Sequence, residues 1–451
     1  MGKLFGTDGI RGIAGTDISC DLAMKIGRAV AYALTRRQKK SPNILIGRDT
    51  RISGQMIESA LIAGICSSGA NCCLAGVIPT PAVSLLVQKH GCDAGIMISA
   101  SHNPMEFNGI KIFNDVGLKL SDELEFEIEQ YILDSKNQIP VKVGREIGRA
   151  SLYKDAISDY VDYICQTVDF KDLSGMKVAV DCANGSASFT ARKIFEKLNV
   201  DFEIVNDLPN GFNINDNCGS THIEKFGEYV KKIGYDLGVA FDGDADRCLA
   251  VDENGKLIDG DQLIAIFAKY MKNNERLDND TVVVTVMSNL GFFHFAKKNN
   301  INLEVTKVGD RYVLENMIAN GYKIGGEQSG HIIFKDYANT GDGQLTAVQL
   351  LNCLKNSNQP FSKLASVMSK FPQVLVNVRA NNDQKKLYLN NLEIENYIQK
   401  KEKLLGENGR ILVRCSGTEP IIRIMIEGQN EDLIQEMSSE IADKIAEVVG
   451  A

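Results

Sequence analysis

Residues 93–104 read Asp-Ala-Gly-Ile-Met-Ile-Ser-Ala-Ser-His-Asn-Pro. The run from Asp93 to Ile98 has the length and apolarity of a buried strand. It breaks into a short polar turn, Ser99–Pro104, which the proline stiffens. The same cadence returns along the chain. Lys177 to Val180 runs into Asp181–Ser186 and then a helix-like stretch from Phe189 to Leu198. Leu237–Phe241 runs into Asp242-Gly243-Asp244-Ala245-Asp246-Arg247, and Thr281 to Val286 runs into Met287–Gly291 and then Phe292 to Lys298. Strand-like runs alternating with helix-like ones predict α/β layers with mixed, largely parallel sheets. In such sheets ligands bind where turns leave the carboxyl ends of strands.

The chain has 451 residues, too many for one hydrophobic core. Leu152, Ala156, Ile157, Tyr160, Val161 and Ile164 recur at helical spacing, so Ser151 to Val168 reads as a helix joining a first unit to a second. A further boundary falls near Asn254–Gly260 and a last one near Lys370–Pro372. Beyond it the pattern changes. Val374, Val376 and Val378 alternate as in a half-buried strand, Ile411–Arg414 and Ile421–Ile426 read as two more, and Asp432 to Val449 reads as an amphipathic helix. The expected organisation is three similar α/β domains, 1–150, 151–256 and 257–370, and a smaller α+β domain, 371–451.

Apolar residues make up 44% of the chain and charged residues 24%, as in ordinary globular proteins. The net charge of −8 argues against nucleic acid as a partner but leaves room for a local basic pocket that takes a small anion. The 11 cysteines are odd in number, none has Cys-x-x-Cys spacing and no His cluster accompanies them, so reduced thiols in a cytoplasmic protein are expected. Met1 to Gly12 lacks the apolar core of a secretory leader, and Gly6 stands where a myristoylation signal needs Ser or Thr. No apolar run is long enough to cross a bilayer, so no membrane partner is expected.

Four stretches carry chemistry. In Ser99–Pro104, Ser101 offers a hydroxyl nucleophile, His102 a neighbouring base or donor, and Lys111 a cation able to neutralise phosphate; the bland alternative is a turn without chemistry. Asp242, Asp244 and Asp246 alternate at a strand end. They offer hard oxygen ligands to Mg²⁺ and would repel one another without a cation. An EF-hand loop opens the same way but needs Gly at the sixth position, where this chain has Arg247. In Gly325-Gly326-Glu327-Gln328-Ser329-Gly330-His331, Glu327 and Ser329 can read a sugar's hydroxyls and His331 can serve as acid or base. In Arg414-Cys415-Ser416-Gly417-Thr418-Glu419-Pro420, with Arg423 beyond, backbone amides, hydroxyls and guanidinium groups form an anion nest. There is no Walker A sequence, so a nucleotide site has little support.

Together with Phe5-Gly6-Thr7-Asp8-Gly9-Ile10-Arg11-Gly12, these stretches resemble the signatures of the α-D-phosphohexomutase family, in family order and across essentially the whole chain. Ser99, where many relatives have Thr, and Gln328 are similar to the branch that acts on glucosamine phosphates. Phe107 departs from it, where Asp is common. The resemblance implies four domains around a central cleft, the fourth closing over substrate phosphate. It implies that Ser101 is the phosphoserine, and that Asp242, Asp244 and Asp246 hold one Mg²⁺ together with the phosphate on Ser101. Glu327 and Ser329 would contact sugar hydroxyls. Arg414, Ser416, Gly417, Thr418 and Arg423 would bind the distal phosphate, and Arg11, His102, Lys111, Arg247 and His331 would line the reaction centre. The implied reaction converts glucosamine 6-phosphate to glucosamine 1-phosphate, with glucosamine or glucose 1,6-bisphosphate as intermediate or activator, and feeds cell-wall synthesis. A phosphoglucomutase or phosphomannomutase is the alternative within the family. A phosphatase would leave the Ser101 turn and the Arg414 nest without a shared purpose, and a retired enzyme serving as sensor would be expected to have lost the Ser or an Asp. A homodimer is one assembly left open.

Overall fold

The computed structural model describes residues 4–6, 8–38, 41–134, 139–416 and 419–450. They form two compact units. One contains the residues up to Met287 together with Ile301–Val367; the other contains Ser288–Asn300 and the residues from Met368 onward.

The first unit holds three α/β domains. The first sheet has the strand order Ile10–Ile13, Phe107–Asn114, Ala94–Ile98, Asn43–Arg48, Asn71–Val77, Ala150–Leu152. The second runs Leu257–Ile258, Cys248–Asp252, Leu237–Phe241, Lys177–Asp181, Asp201–Val205, and the third Asn302–Thr306, Thr281–Thr285, Ile324–Gly326, Ile332–Phe334. Each combines parallel pairs with an antiparallel hairpin: Ala94–Ile98 with Phe107–Asn114, Leu237–Phe241 with Cys248–Asp252, and Ile324–Gly326 with Ile332–Phe334. The central strands Ala94–Ile98, Leu237–Phe241 and Thr281–Thr285 are buried at every residue. Strands covered on both faces need apolar side chains on both, so they read as unbroken runs. In the first domain Ile44, Ile46, Ile96 and Ile98 pack with Ile57, Leu61 and Ile65 of the helix Gly54–Ser67.

Two elements differ from the reading of the sequence. After the turns at Ser99 and Asp242 the chain returns as an antiparallel strand instead of entering a helix. The expected helix over Ser151–Val168 is shorter, Ala156–Gln166, because Ala150–Leu152 pairs with the strand Asn71–Val77 and satisfies backbone groups that a sheet edge leaves open.

In the second unit the strands Gln373–Arg379, Ile421–Gly428 and Gly409–Cys415 form an antiparallel sheet in that order. Ile434, Met437, Ile441 and Ile445 of the helix Glu431–Val449 join its core. Glu427 is fully buried there, and its carboxylate accepts from Asn289 Nδ2, Leu290 N, Gln373 Nε2 and Arg410 Nε. This network ties the segment 288–300 to the sheet.

Tyr160, on the helix Ala156–Gln166, donates to both carboxyl oxygens of Asp342, at 2.8 and 3.0 Å. Asp342 caps the helix Gly343–Ser357 by accepting from Leu345 N at 2.9 Å. Burial pushes the Asp342 carboxyl up to about 7. An unfolded chain loses that proton near pH 4, so between there and about pH 7 the folded state holds one proton more, and stability falls as pH rises through that window. Asp342→Asn keeps a capping oxygen and removes the titration. Its melting temperature is expected to drop less between pH 5 and pH 8 than the parent's, by differential scanning fluorimetry; parallel curves would contradict this.

Candidate active site

Ser101 lies in the connection between Ala94–Ile98 and Phe107–Asn114, fully buried and at φ 53°. That left-handed conformation is costly for a residue with a side chain. Its Oγ donates to Asp242 Oδ2 at 2.6 Å and lies 3.3 Å from His102 Nδ1. Burial, with Arg247 and Arg11 nearby, lowers the His102 pKa to about 4, so its ring is neutral near pH 7.

Asp242, Asp244 and Asp246 occupy the equivalent hairpin connection of the second sheet, and all three are buried. One oxygen from each lies within 4.8 Å of the others. The two connections meet because residue 243 is glycine: a Cβ there would stand 2.6 Å from the Ser101 carbonyl oxygen. Lys111, on the strand after Ser101, donates to Asp244 Oδ2 at 2.7 Å and Asp246 Oδ2 at 3.2 Å, and Thr80 Oγ1 donates to Asp244 Oδ2 at 2.6 Å. Burial and the two neighbouring carboxylates hold Asp242 well above the usual carboxylate range. Burial pushes Asp244 and Asp246 the same way, but Lys111 and their hydrogen bonds outweigh it and both are lowered. Asp244 Oδ1 and Asp246 Oδ1 are buried without a hydrogen-bond partner. Orphaned oxygens are costly in a protein interior, and a hard divalent cation is the group this oxygen set fits.

The third hairpin connection carries Glu327–His331. His331 Nδ1 lies 3.7 Å from Asp246 Oδ1, and its Nε2 accepts from Gly341 N at 3.0 Å. Glu327 Oε1 accepts from Gly309 N at 2.9 Å, and Ser329 Oγ is buried without a partner. Gln328 turns to Asp259, its Nε2 3.3 Å from Asp259 Oδ2. Arg247 N donates to Asp242 Oδ1 at 3.2 Å, while Arg247 Nε and Arg11 Nε are buried without hydrogen-bond partners. Arg11 sits on the edge strand opposite Gly109, 3.3 Å from Asp8. Phe107 contributes to this region through its backbone carbonyl, which accepts from Arg51 Nη1 at 3.0 Å and which any residue would supply.

In the other unit, Arg414 and Arg423 are register partners on neighbouring strands, which sets their side chains on one face. Arg423 pairs with Glu419. Lys385 Nζ donates to the carbonyls of Ser416 and Glu419, both at 2.6 Å, and Ser416 Oγ accepts from Glu419 N at 3.1 Å. Gly417 and Thr418 lie outside the described residues.

Four family models match the chain in order: phosphoglucomutase/phosphomannomutase alpha/beta/alpha domain I over residues 2–138, domain II over 158–255, domain III over 259–371 and the C-terminal domain over 375–444. The chain belongs to the phosphoglucomutase/phosphomannomutase family. It is 53% identical over 445 residues, 99% of each chain, to a phosphoglucosamine mutase of Clostridium beijerinckii. Among solved structures it is similar to a phosphoglucomutase/phosphomannomutase family protein of Burkholderia thailandensis, with a TM-score of 0.82 at 22% identity over 99% of this chain and 97% of that one. It is also similar to Aspergillus fumigatus N-acetylphosphoglucosamine mutase in complex with GlcNAc-6P and magnesium, with a TM-score of 0.67 at 17% identity over 99% and 96%. These two likenesses concern the fold.

Several residues that hold these loops, each within its own unit, escaped the sequence reading. Lys119 bridges Asp8 at 3.3 Å and Asp310 at 2.8 Å. Asn215 Nδ2 donates to the carbonyls of Ser101 at 2.9 Å and Asn103 at 3.1 Å. Asp49, Arg51, Thr80 and Lys385 are buried partners of the loops. Asp49-Thr50-Arg51 does follow the apolar run 44–47, so the strand–turn cadence was a usable signal there; Asn215, Lys119 and Lys385 carry none.

A metal ion held by this triad would compete with a proton for Asp242, because the raised pKa means the metal-free carboxyl keeps its proton to higher pH. Mg²⁺ affinity is expected to weaken as the pH is lowered. Isothermal titration calorimetry measures it, and a pH-independent dissociation constant would count against the assignment.

Proposed function

We propose that this chain is a phosphoglucosamine mutase, interconverting glucosamine 6-phosphate and glucosamine 1-phosphate through phosphorylated Ser101 and a bound sugar 1,6-bisphosphate. The observation that carries the reading is Ser101 Oγ held 2.6 Å from Asp242 in a buried carboxylate triad. The choice of amino sugar is supported by full-length similarity to a phosphoglucosamine mutase at 53% identity.

In this reading the phosphate on Ser101 passes to the free hydroxyl of the sugar phosphate, and the other phosphate of the resulting bisphosphate returns to Ser101 Oγ. Mg²⁺ held by Asp242, Asp244, Asp246 and the serine phosphate would neutralise charge on the transferring group. Lys111 and Arg247 add positive charge on the protein side. His102 and His331 are candidates for moving the hydroxyl proton: His102 is neutral, and Gly341 N–H fixes the tautomer of a neutral His331 with its proton on Nδ1, facing Asp246. Arg11 contributes a further guanidinium. Glu327 and Ser329 would bind sugar hydroxyls, Ser329 with an oxygen that has no partner of its own. Arg414, Ser416, Gly417, Thr418 and Arg423 would grip the phosphate that is not reacting. In this reading each of the four domains, 1–150, 151–256, 257–370 and 371–451, would contribute one loop. The working form would be cytoplasmic, in keeping with 11 free cysteines; light scattering decides whether it is a homodimer.

Assay of 6-phosphosugars for conversion to the 1-phosphate tests the reading, with glucosamine 6-phosphate expected to outperform the glucose and mannose phosphates. Preference for glucose or mannose would select the other family activities. Ser101→Ala is expected to lose the phosphate mass seen in the intact parent and nearly all turnover. Arg423→Ala is expected to raise KM for glucosamine 6-phosphate by about tenfold, the worth of one charge-assisted hydrogen bond, and to release more bisphosphate; normal KM and no added release would remove Arg423 from the site.

A further inference from the structure

Arg51 follows the strand Asn43–Arg48 and is fully buried. Each of its five N–H groups has its own acceptor. Nε donates to Asp49 Oδ2 at 2.9 Å. Nη1 donates to the carbonyls of Pro104 and Phe107, the second at 3.0 Å. Nη2 donates to the carbonyls of Ser101 at 2.9 Å and Asn103 at 2.8 Å. Four of the five acceptors belong to one segment, 101–107, the loop that carries Ser101. Asp49 completes the arrangement: its Oδ2 also accepts from Ser99 Oγ at 2.7 Å, and Ser99 Oγ accepts from Ser101 N at 2.9 Å. Sheet register explains why these groups meet. Arg48 stands opposite Ile98 in a parallel pair, so Asp49 and Ser99 leave the sheet side by side.

A buried guanidinium paired with one carboxylate alone would strand four donors, each at a substantial cost. The loop turns its carbonyls inward to meet them. Ser101 is thereby held by its own carbonyl while its Oγ reaches Asp242, in a backbone conformation that persists only where surroundings enforce it. Lysine cannot replace the clamp. It has three donors on a single atom, and the carbonyls to be met are spread over seven residues.

We propose that Arg51, together with Asp49 and Ser99, positions Ser101 for phosphoryl transfer. These residues make and break no bond; they hold the loop so that Oγ presents to the metal site with and without its phosphate. The proposal rests on Ser101 being the phosphoserine.

Arg51→Lys, Ser99→Ala and Ser99→Thr test it, with kcat, KM for glucosamine 6-phosphate, Mg²⁺ affinity, melting temperature and phosphate on Ser101 measured for each. Arg51→Lys is expected to lower kcat about 100-fold, the scale of an ångström-level misplacement of a reacting group, with KM and Mg²⁺ affinity close to the parent's. Ser99→Ala is expected to lower kcat about tenfold, the worth of the lost hydrogen bonds, and Ser99→Thr, which keeps the hydroxyl, to restore it. Parental kcat in Arg51→Lys, or a loss that matches its unfolded fraction, overturns the proposal. So do Ser99→Ala and Ser99→Thr with equal turnover, and that pair decides if Arg51→Lys fails to fold. Failure of the underlying reading looks different: the parent itself carries no phosphate, or Ser101→Ala turns over normally.

Discussion

Three buried carboxylates stand within 4.8 Å of one another, with one lysine between two of them. Like charges at that separation in a low-dielectric interior repel strongly, and much of the surrounding structure answers that repulsion. Lys111 bridges two of the carboxylates, Thr80 donates to one of them, and Ser101 and the Arg247 amide donate to the third. The remaining oxygens, Asp244 Oδ1 and Asp246 Oδ1, have no donor within hydrogen-bond distance among the described residues. A site left negative in this way is suited to a divalent cation, and a phosphoryl group next to that cation extends the same compensation of charge.

The repeated architecture delivers the groups to this point. Each α/β domain ends its parallel strands in one antiparallel hairpin, and the hairpin connections carry Ser101, the carboxylate triad and Glu327–His331 in turn. A connection anchored at both ends by adjacent, hydrogen-bonded strands has little freedom, which suits groups that must meet within hydrogen-bond distance. Further contacts then stitch the connections together. Gly243 permits close approach to the Ser101 loop, Asn215 reaches across from the second domain, and Cys248 N donates to the carbonyl of Gly330 in the third.

Much of this was legible in the sequence for a physical reason. Strands buried on both faces are largely apolar, so Ala94–Ile98, Leu237–Phe241 and, between two threonines, the valines at 282–284 announce themselves as unbroken runs. Alternating carboxylates at a strand end are chemically unusual enough to mark a cation site without any fold. The course of the chain beyond a turn is harder to read. Phe107–Asn114 and Cys248–Asp252 return as antiparallel strands because a neighbouring strand was there to pair with, and that is a property of the sheet. Ser151 and Leu152 fell inside an expected helix for the same reason.

The sequence by itself determined the α/β layering, the change to an α+β C-terminal domain, the three-carboxylate loop and the residue types of the four candidate loops. These depend on local periodicity and on side-chain chemistry, both of which are written in neighbouring residues. Only the tertiary structure decided which groups meet. Ser101 and Asp242 are 141 residues apart, and Lys119 and Asp310 are 191 apart. Arg51 finds its four carbonyls more than 49 residues downstream, because two parallel strands end in register and a buried guanidinium leaves none of its five donors unmet.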